Sequence, residues 1–280
     1  MKNKFMIFTL ALVATAMSVQ SAKAWHNFAH GSIAYMAEQH LTPEAKAKCA
    51  YYLRHTLSHY ASWMDAWRLE RFEVVNKSHA AMALPDGVNL DFESGDPVGH
   101  AMGHLVNALA ELGDGKYKNL PDSVVRQRLI NMAHYVPDLH CPSHVLFPES
   151  VRPSQKSHRL FDKGKKLGYH RFWDHCLGRE GRIKWQYEEL AANVDKVSKK
   201  RAAQIQSGSL EDWGRDIVKL ANLSYEIVPK GTDVATMSKE QVEAVRELVY
   251  EAAVMGAYRL AHVINTIFAD KNIPVYNDKK

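Results

Sequence analysis

The chain has little cysteine for its length. Its 280 residues include three, Cys49, Cys141 and Cys176. An odd count of three allows at most one disulfide within the chain, which excludes the disulfide-rich class of small exported scaffolds. No two of the cysteines form a Cys-x-x-Cys pair, so the usual cysteine-based zinc motif is excluded as well.

Long apolar runs are absent beyond the first 24 residues, which have the pattern of a secretory signal peptide. Lys2 and Lys4 precede the run FMIFTLALVATAM, and the triplet Ala22-Lys23-Ala24 supplies the small residues of a cleavage site. We expect a mature chain that begins at Trp25 and is secreted or periplasmic. No later stretch approaches the roughly 20 apolar residues that cross a bilayer, so we expect no stable membrane insertion.

A strong charge of one sign is also absent. Signal cleavage would remove three lysines and no acidic residue, which lowers the formal net charge from +5 to +2. Bulk electrostatics at this level do not predict nucleic-acid binding, so specificity for a polyanion has to come from a local site. No linker, charge run or internal repeat divides the remaining chain, and we expect residues 25–280 to form one domain.

Period-two alternation, the pattern typical of strands, is nearly absent, and helical signals dominate instead. Thr42, Pro43 and Glu44 together form a helix start. The segments SLEDWGRDIVKLANLSYEIV and SKEQVEAVRELVYEAAVMGAYRLAHVINTIFAD each open with a serine, and Asp212 or Gln241 follows three residues later, as in a capping box. The sequence therefore predicts an all-α, single-domain helical bundle.

Histidine is the main chemical signal. Most of the 15 histidines fall in pairs four residues apart, a spacing that puts two imidazoles on one helix face, where they can share a metal. A single pair is weak evidence, because a histidine on a half-buried helix is more often packed or solvated than a ligand. The pairs are His26 and His30, His55 and His59, His100 and His104, and His140 and His144.

The order of the motifs along the chain is more specific than any pair. The sequence reads WHNFAH from residue 25, ASWMDAWR from 61, His79, HYVPDLHCPSH from 134 and HRFWD from 170. This succession resembles the zinc-dependent single-strand nucleases and 3′-nucleotidases of the S1/P1 nuclease family, which share a helical fold with zinc-dependent phospholipase C. In that family the first mature residue is a tryptophan whose amine and carbonyl bind zinc, so signal cleavage at Trp25 would itself create a metal ligand.

The resemblance implies three Zn²⁺ ions and nine ligand residues. Imidazole nitrogens and carboxylate oxygens suit zinc, and ions short of protein ligands keep positions for water or substrate. The first ion would be held by Asp65, His79, His134 and Asp138, the second by His144, His170 and Asp174, and the third by Trp25, His30 and the shared Asp138. The remaining histidines, among them His158 and His175, are then expected to be structural.

The function that the resemblance implies is hydrolysis of single-stranded DNA or RNA, or of 3′-nucleotides, to 5′-mononucleotides. Hydroxide activated by the metals would attack phosphorus. Asp65 would ligate the first zinc and orient the nucleophile, and Arg68 would neutralise charge in the transition state, a role that suits its planar fork. The alternative for Arg68 is a surface ion pair with Glu70 or Glu73.

The sequence departs from the family pattern after His79. The nucleases usually carry aromatic and acidic residues there that meet the base, whereas this chain has the stretch Ala80–Met82. A missing stacking partner costs about 1–3 kcal/mol per base. The aromatic residues that could stack instead are Trp63, Trp67, Phe172 and Trp173.

Two further departures concern the ligand segments. Pro137 stands before Asp138 and removes the hydrogen bond to the Ala133 carbonyl, so a kink is expected unless the segment is already irregular. Cys141 and Cys176 each lie close to an expected ligand and would either form a disulfide or remain buried thiols.

Two other functions stay open at this stage. A zinc-dependent phospholipase C would cleave a lipid phosphodiester with nearly the same cluster, although the spacing of Trp25 and His30 and the final ligand Asp174 favour the nuclease branch. A non-catalytic exported zinc-binding protein would use the histidines alone and would need neither the ordered carboxylates nor Arg68.

Overall fold

The computed structural model describes residues 25, 27–67, 79–92, 100–177 and 186–269. The predicted signal peptide, His26 and Arg68 therefore lie outside the described residues. Among the residues described, no helix has both the length and the apolar character needed to cross a bilayer.

Helices make up most of the described chain. They are α1 (Asn27–Gln39), α2 (Pro43–Leu53), α3 (Leu57–Tyr60), α4 (Trp63–Trp67), α5 (Ala101–Leu112), α6 (Asp122–His140), α7 (Tyr169–Cys176), α8 (Tyr187–Val194), α9 (Lys199–Gln206), α10 (Leu210–Ile227) and α11 (Lys239–Ile267). Short 3₁₀ turns cover Lys116–Asn119, Pro142–His144 and Val234–Thr236. The predicted all-α fold is confirmed.

The predicted helix starts have the expected capping contacts. Thr42 caps α2 by accepting a hydrogen bond from the Ala45 amide. Ser209 and Ser238 open α10 and α11 with complete capping boxes. Each cap satisfies amides that the first helical turn would otherwise leave without a partner.

The core forms where the first, sixth and last helices meet. Helix α1 packs against α11, α6 and α3, and α11 packs against α6, α10 and α9. Gly256 of α11 lies where these helices meet, since a β-carbon at this position would be in ordinary contact, at 3.5 Å, with both Ile33 of α1 and His140 of α6. Helix α6, from the middle of the sequence, thus packs against helices from both ends of the described chain.

Two small strand pairs were not predicted. Strands β1 (Ala81–Met82) and β2 (Val145–Leu146) pair in parallel. Strands β3 (Arg159–Asp162) and β4 (Lys165–Gly168) form an antiparallel hairpin that leads directly into α7. Each strand is two or four residues long, which is too short for alternation of side chains to be visible in the sequence.

Helix α6 continues through Pro137 as far as His140. The proline therefore does not end the helix before Asp138. The indole of Trp25 donates a hydrogen bond from Nε1 to the Pro137 carbonyl at 3.0 Å, and His140 Nδ1 donates to the Val136 carbonyl at 2.8 Å. Side chains thus bind the carbonyls on this part of the helix.

None of the three cysteines forms a disulfide, and all three are buried. The disulfide hypothesis for Cys141 and Cys176 is therefore wrong, and the buried-thiol alternative is correct. The Cys176 thiol donates to the Phe172 carbonyl one turn earlier in α7. The Cys141 thiol instead points towards Asp174.

Candidate metal centre

The carboxylate of Asp138 lies at the centre of a group of histidines. Its Oδ1 atom is 3.2 Å from His30 Nε2 and 3.5 Å from His144 Nδ1. Its Oδ2 atom is 3.0 Å from His79 Nδ1 and 3.1 Å from His134 Nε2. All five side chains are buried.

Different elements supply these side chains. His134 and Asp138 stand one turn apart on α6, and the His30 ring from α1 stacks on His134 with ring centroids 4.2 Å apart. The β1–β2 pair joins the segment after His79 to the segment after His144, and His144 Nδ1 donates to the His79 carbonyl at 2.7 Å. The unpredicted strand pair therefore sets the distance between these two histidines.

Asp65 reaches the cluster from α4. Its Oδ2 atom is 3.9 Å from His30 Nε2, and its Oδ1 atom is 4.0 Å from His79 Nδ1. The segment before α4 is tied to α6, because His134 Nδ1 donates to the Ala61 carbonyl at 2.6 Å. This hydrogen bond holds the segment that leads into α4 beside the part of α6 that bears His134.

The cluster continues to α7 through His144. His144 Nε2 is 3.5 Å from Asp174 Oδ1, and His170 Nε2 is 3.1 Å from Asp174 Oδ2. The His144 and His170 rings stack with centroids 4.8 Å apart. The side chain of His170 is 33% exposed, whereas the Asp174 side chain is fully buried. The site therefore opens towards solvent beside His170.

Trp25 is fully buried. Its hydrogen bond to the Pro137 carbonyl places it next to the helical turn that bears Asp138. The role predicted for its amine and carbonyl as zinc ligands stays a prediction.

Several buried nitrogen and oxygen atoms in the cluster make no hydrogen bond. They are both ring nitrogens of His30, Nε2 of His79 and of His144, Oδ1 of Asp138 and Oδ2 of Asp174. A buried polar atom left without a partner costs about 1–3 kcal/mol. Imidazole nitrogens and carboxylate oxygens are also ordinary zinc donors. The residues present therefore fit a metal centre.

The hydrogen bonds around the cluster also direct the ring nitrogens. His134 and His144 each donate Nδ1–H to a backbone carbonyl, which leaves Nε2 as the ring nitrogen that faces the cluster. Hydrogen bonds of this kind fix the tautomer and orientation of metal-binding histidines. The two rings are thus oriented for ligation by the fold itself.

Opposite charges stabilise each other inside the cluster. Burial disfavours the charged form of Asp138, but the positive charges of His144, His134 and His30 outweigh it and hold its pKa well below the usual value. For Asp174 burial acts in the same direction, yet His170 and His144 lower the pKa to about 2. Both carboxylates are therefore ionised at neutral pH and attract cations.

The pKa of His144 moves the opposite way. Burial alone would lower it, but the charges of Asp138 and Asp174 raise it to about 9. Without a metal, His144 therefore holds a proton at neutral pH, and a bound metal cation would replace this proton.

Three groups of side chains bring ligand atoms within 4.8 Å of one another. They are His30, Asp65 and His134; His79, His134 and Asp138; and Cys141, His144 and Asp174. The grouping differs from the predicted one, since His30 lies beside Asp65 as well as Asp138, and Cys141 joins the third group. All eight predicted side-chain ligands nevertheless lie in one continuous cluster.

Two residues of the cluster were missed by the sequence reasoning. Ser143 Oγ donates to Asp174 Oδ1 at 3.1 Å, and the Cys141 thiol is 3.6 Å from the same oxygen. Both lie within the HCPSH segment, between His140 and His144, but their contact with α7 is made only in three dimensions.

The ordered motifs, the helical fold and the buried cluster point to a family. A profile of the S1/P1 nuclease family matches residues 25–269. The chain belongs to the S1/P1 nuclease family. This match confirms the resemblance, and it begins at Trp25, the residue that signal cleavage would make the first. No curated protein sequence matches the chain.

S1/P1 nucleases act on nucleic acid, so the aromatic surfaces near the centre matter. Trp173 and Phe172 are buried, which leaves no ring face open to a base. The side chain of Trp67, like Arg68, lies outside the described residues. Trp63 is half-buried and lines a groove of about 1800 Å³, together with Met64 and Arg126. Met64 immediately precedes Asp65 in the sequence, but the residues that line the groove include none of the cluster around Asp138.

Proposed function

We propose that the chain is a zinc-dependent phosphoesterase that hydrolyses single-stranded DNA or RNA, or 3′-nucleotides, and releases 5′-mononucleotides. The observation that carries this proposal is the buried cluster around Asp138, with its unpaired ring nitrogens and carboxylate oxygens, in a chain of the S1/P1 nuclease family. We further propose that residues 25–280 act as one exported domain.

Three zinc ions account best for the ligands in the cluster. They would be held by the nine residues Trp25, His30, Asp65, His79, His134, Asp138, His144, His170 and Asp174. Bound zinc supplies a Lewis acid for the phosphate and lowers the pKa of water to near neutrality. The protein residues then have to orient the reacting groups and stabilise charge.

Asp65 would orient the nucleophile. Its carboxylate, on α4, lies between His30 and His79 at 3.9 and 4.0 Å. A carboxylate at this position can accept a hydrogen bond from the attacking water and hold it towards phosphorus. Arg68, three residues further along the sequence, would neutralise charge on the phosphate oxygens.

The groove supports a strand as substrate. A half-buried tryptophan and the guanidinium of Arg126 line it, and stacking on aromatic rings together with cationic contacts is how proteins bind single strands without reading sequence. Trp63 would then take over base stacking from the aromatic residue that is missing after His79.

The test is an assay of the zinc-loaded mature protein on single-stranded DNA, RNA, a 3′-mononucleotide and phosphatidylcholine. We expect chelator-sensitive release of 5′-mononucleotides that Asp65→Asn abolishes and Asp114→Asn, at an exposed turn, leaves intact. Hydrolysis of the lipid alone would transfer the protein to the phospholipase C branch. Bound zinc without turnover of any of the four would leave a zinc-binding protein.

The exported form has a test of its own. We expect the protein recovered outside the cytoplasm to begin at Trp25 when its amino terminus is sequenced. A mature chain that starts elsewhere would remove the amine of Trp25 from the third zinc site.

A further inference from the structure

The Cys141 thiol is part of the same buried cluster as two expected zinc ligands. Cys141 follows the last residue of α6 and is fully buried. Its sulfur is 3.6 Å from Asp174 Oδ1, and His144 Nε2 is 3.5 Å from that same oxygen. The sulfur, nitrogen and oxygen atoms of these three side chains all lie within 4.8 Å of one another.

The neighbours of the thiol have unused capacity to bind a cation. His144 Nε2 and Asp174 Oδ2 are buried and make no hydrogen bond. Because His144 Nδ1 donates to the His79 carbonyl, Nε2 is the ring nitrogen that faces Asp174 and that a metal cation can bind in place of a proton. The unpaired nitrogen points to a ligand independently of the cysteine.

The distances match those between neighbouring ligands of one metal ion. Zinc bonds of about 2.0–2.3 Å at tetrahedral angles place adjacent ligand atoms roughly 3.5 Å apart. The separations of 3.6 Å from sulfur to oxygen and 3.5 Å from nitrogen to oxygen agree with this value. A single ion could therefore contact all three atoms.

We propose that Cys141 is a thiolate ligand of the second metal, together with His144, His170 and Asp174. The inference rests on the proposed metal centre and adds a sulfur donor to it. On binding, the sulfur–hydrogen bond breaks, a metal–sulfur bond forms and the proton passes to solvent, with no change of oxidation state.

A coordinated cation favours the thiolate over the thiol, because the ion becomes the largest local charge. With four protein ligands the second metal would be more enclosed and more tightly held than a metal with an open position.

Cobalt substitution tests the proposal through absorbance rather than activity. A thiolate bound to Co²⁺ gives an intense near-ultraviolet charge-transfer band that nitrogen and oxygen ligands do not give. We expect this band in the cobalt-loaded full chain and its loss in Cys141→Ser, which keeps a hydroxyl able to donate to Asp174. Cys176→Ser is the matched control and should keep the band, because that thiol donates to the Phe172 carbonyl.

The outcomes separate this proposal from the function. Bound cobalt without the band, or a band that survives in Cys141→Ser, would show that the thiol only donates a hydrogen bond to Asp174 and would overturn the inference alone. Failure to bind any cobalt or zinc would overturn both. Cys141→Ala is the second variant if the serine variant does not fold, and circular dichroism checks the fold of each.

Discussion

Asp138 divides its two oxygens between different neighbours. One oxygen faces His30 and His144, and the other faces His79 and His134. Asp174, by contrast, contacts only His144 and His170 among the histidines of the cluster, at the end near α7. The two carboxylates should therefore differ in how many metal ions depend on them.

We predict that Asp138→Asn loses more than one metal ion per chain, whereas Asp174→Asn loses one. An amide offers a single neutral oxygen, so the substituted side chain at position 138 could not bridge two ions. Elemental analysis of the purified variants measures the count, and nuclease activity should fall by more than about 100-fold, the upper range for loss of a residue that merely supports a ligand. Equal metal loss in the two variants would contradict a shared role for Asp138.

A second prediction concerns Trp63. Trp63→Ala should raise the KM for single-stranded oligonucleotides by about 5–150-fold, equivalent to the 1–3 kcal/mol of stacking on one base. Turnover of a small phosphate ester without a base should change little. If both substrates are affected alike, Trp63 supports the fold of α4 and does not bind the strand; thermal unfolding of the variant separates these effects.

The resemblance, which rests on the order of the motifs along the chain, named eight side chains that the structure brings into one cluster; their role as metal ligands stays a prediction. The roles of Ser143 and Cys141 were not predictable, because both depend on α7 folding back beside residues 141–144. A sequence shows that Cys141 lies near Asp138 but not which way its sulfur points.

At the scale of helices, a side chain from α8 occupies the space beside a glycine of α1. A β-carbon on Gly31 would lie 2.4 Å from the ring of Tyr187, a distance that forces the ring to move. Gly31 is next to His30, so Tyr187 packs against the helical turn that carries this expected ligand. Gly214 of α10 differs, since a β-carbon there would meet Leu90 at an ordinary 3.5 Å.

Replacement of glycine by alanine should therefore change the free energy of unfolding in opposite directions in the two helices. Gly214→Ala should raise the free energy of unfolding by up to about 1 kcal/mol, because alanine favours a helix over glycine. Gly31→Ala should lower it by about 1–3 kcal/mol through overpacking. Urea unfolding measures both changes.

A double variant provides the control. In a Tyr187→Ala background the space beside α1 is empty, and Gly31→Ala should become stabilising. Destabilisation that persists there would assign the cost to something other than the tyrosine ring.

Helix starts were predictable because a cap is a local contact between residues three apart. The β3–β4 hairpin was not, although Lys163 and Gly164 adopt positive φ angles of 51° and 73° at its turn. Asp233 accepts hydrogen bonds from both amides of that turn. A residue 70 positions away thus stabilises a turn that the local sequence specifies only weakly.

At the scale of the whole molecule, several histidines outside the cluster are partly or fully buried. His104 of α5 stacks on Tyr135 with ring centroids 4.8 Å apart. Burial, followed by the charges of His100 and Arg128, lowers its pKa from 6.5 to about 4. The folded protein therefore resists protonation that the unfolded chain accepts.

This difference predicts acid sensitivity. Between about pH 6.5 and 4 the unfolded chain binds a proton at residue 104 and the folded protein does not, so stability falls as the pH falls across this range. His104→Gln should make the decline shallower. Urea unfolding at a series of pH values measures how the free energy of unfolding depends on pH. His55→Gln, at an exposed position, is the control. If this pH dependence is unchanged in His104→Gln, the prediction is contradicted.

The packing of α1 against α11 bears on when the protein can fold. Asn265 near the end of α11 donates to the His40 carbonyl and accepts from the Thr42 amide, at 3.0 and 2.8 Å, so the turn between α1 and α2 is joined directly to the last described helix. Contacts this distant in sequence form only after the last helix has left the ribosome. We therefore expect His30 to lack its final packing throughout translation, so that the candidate metal centre forms only after synthesis is complete.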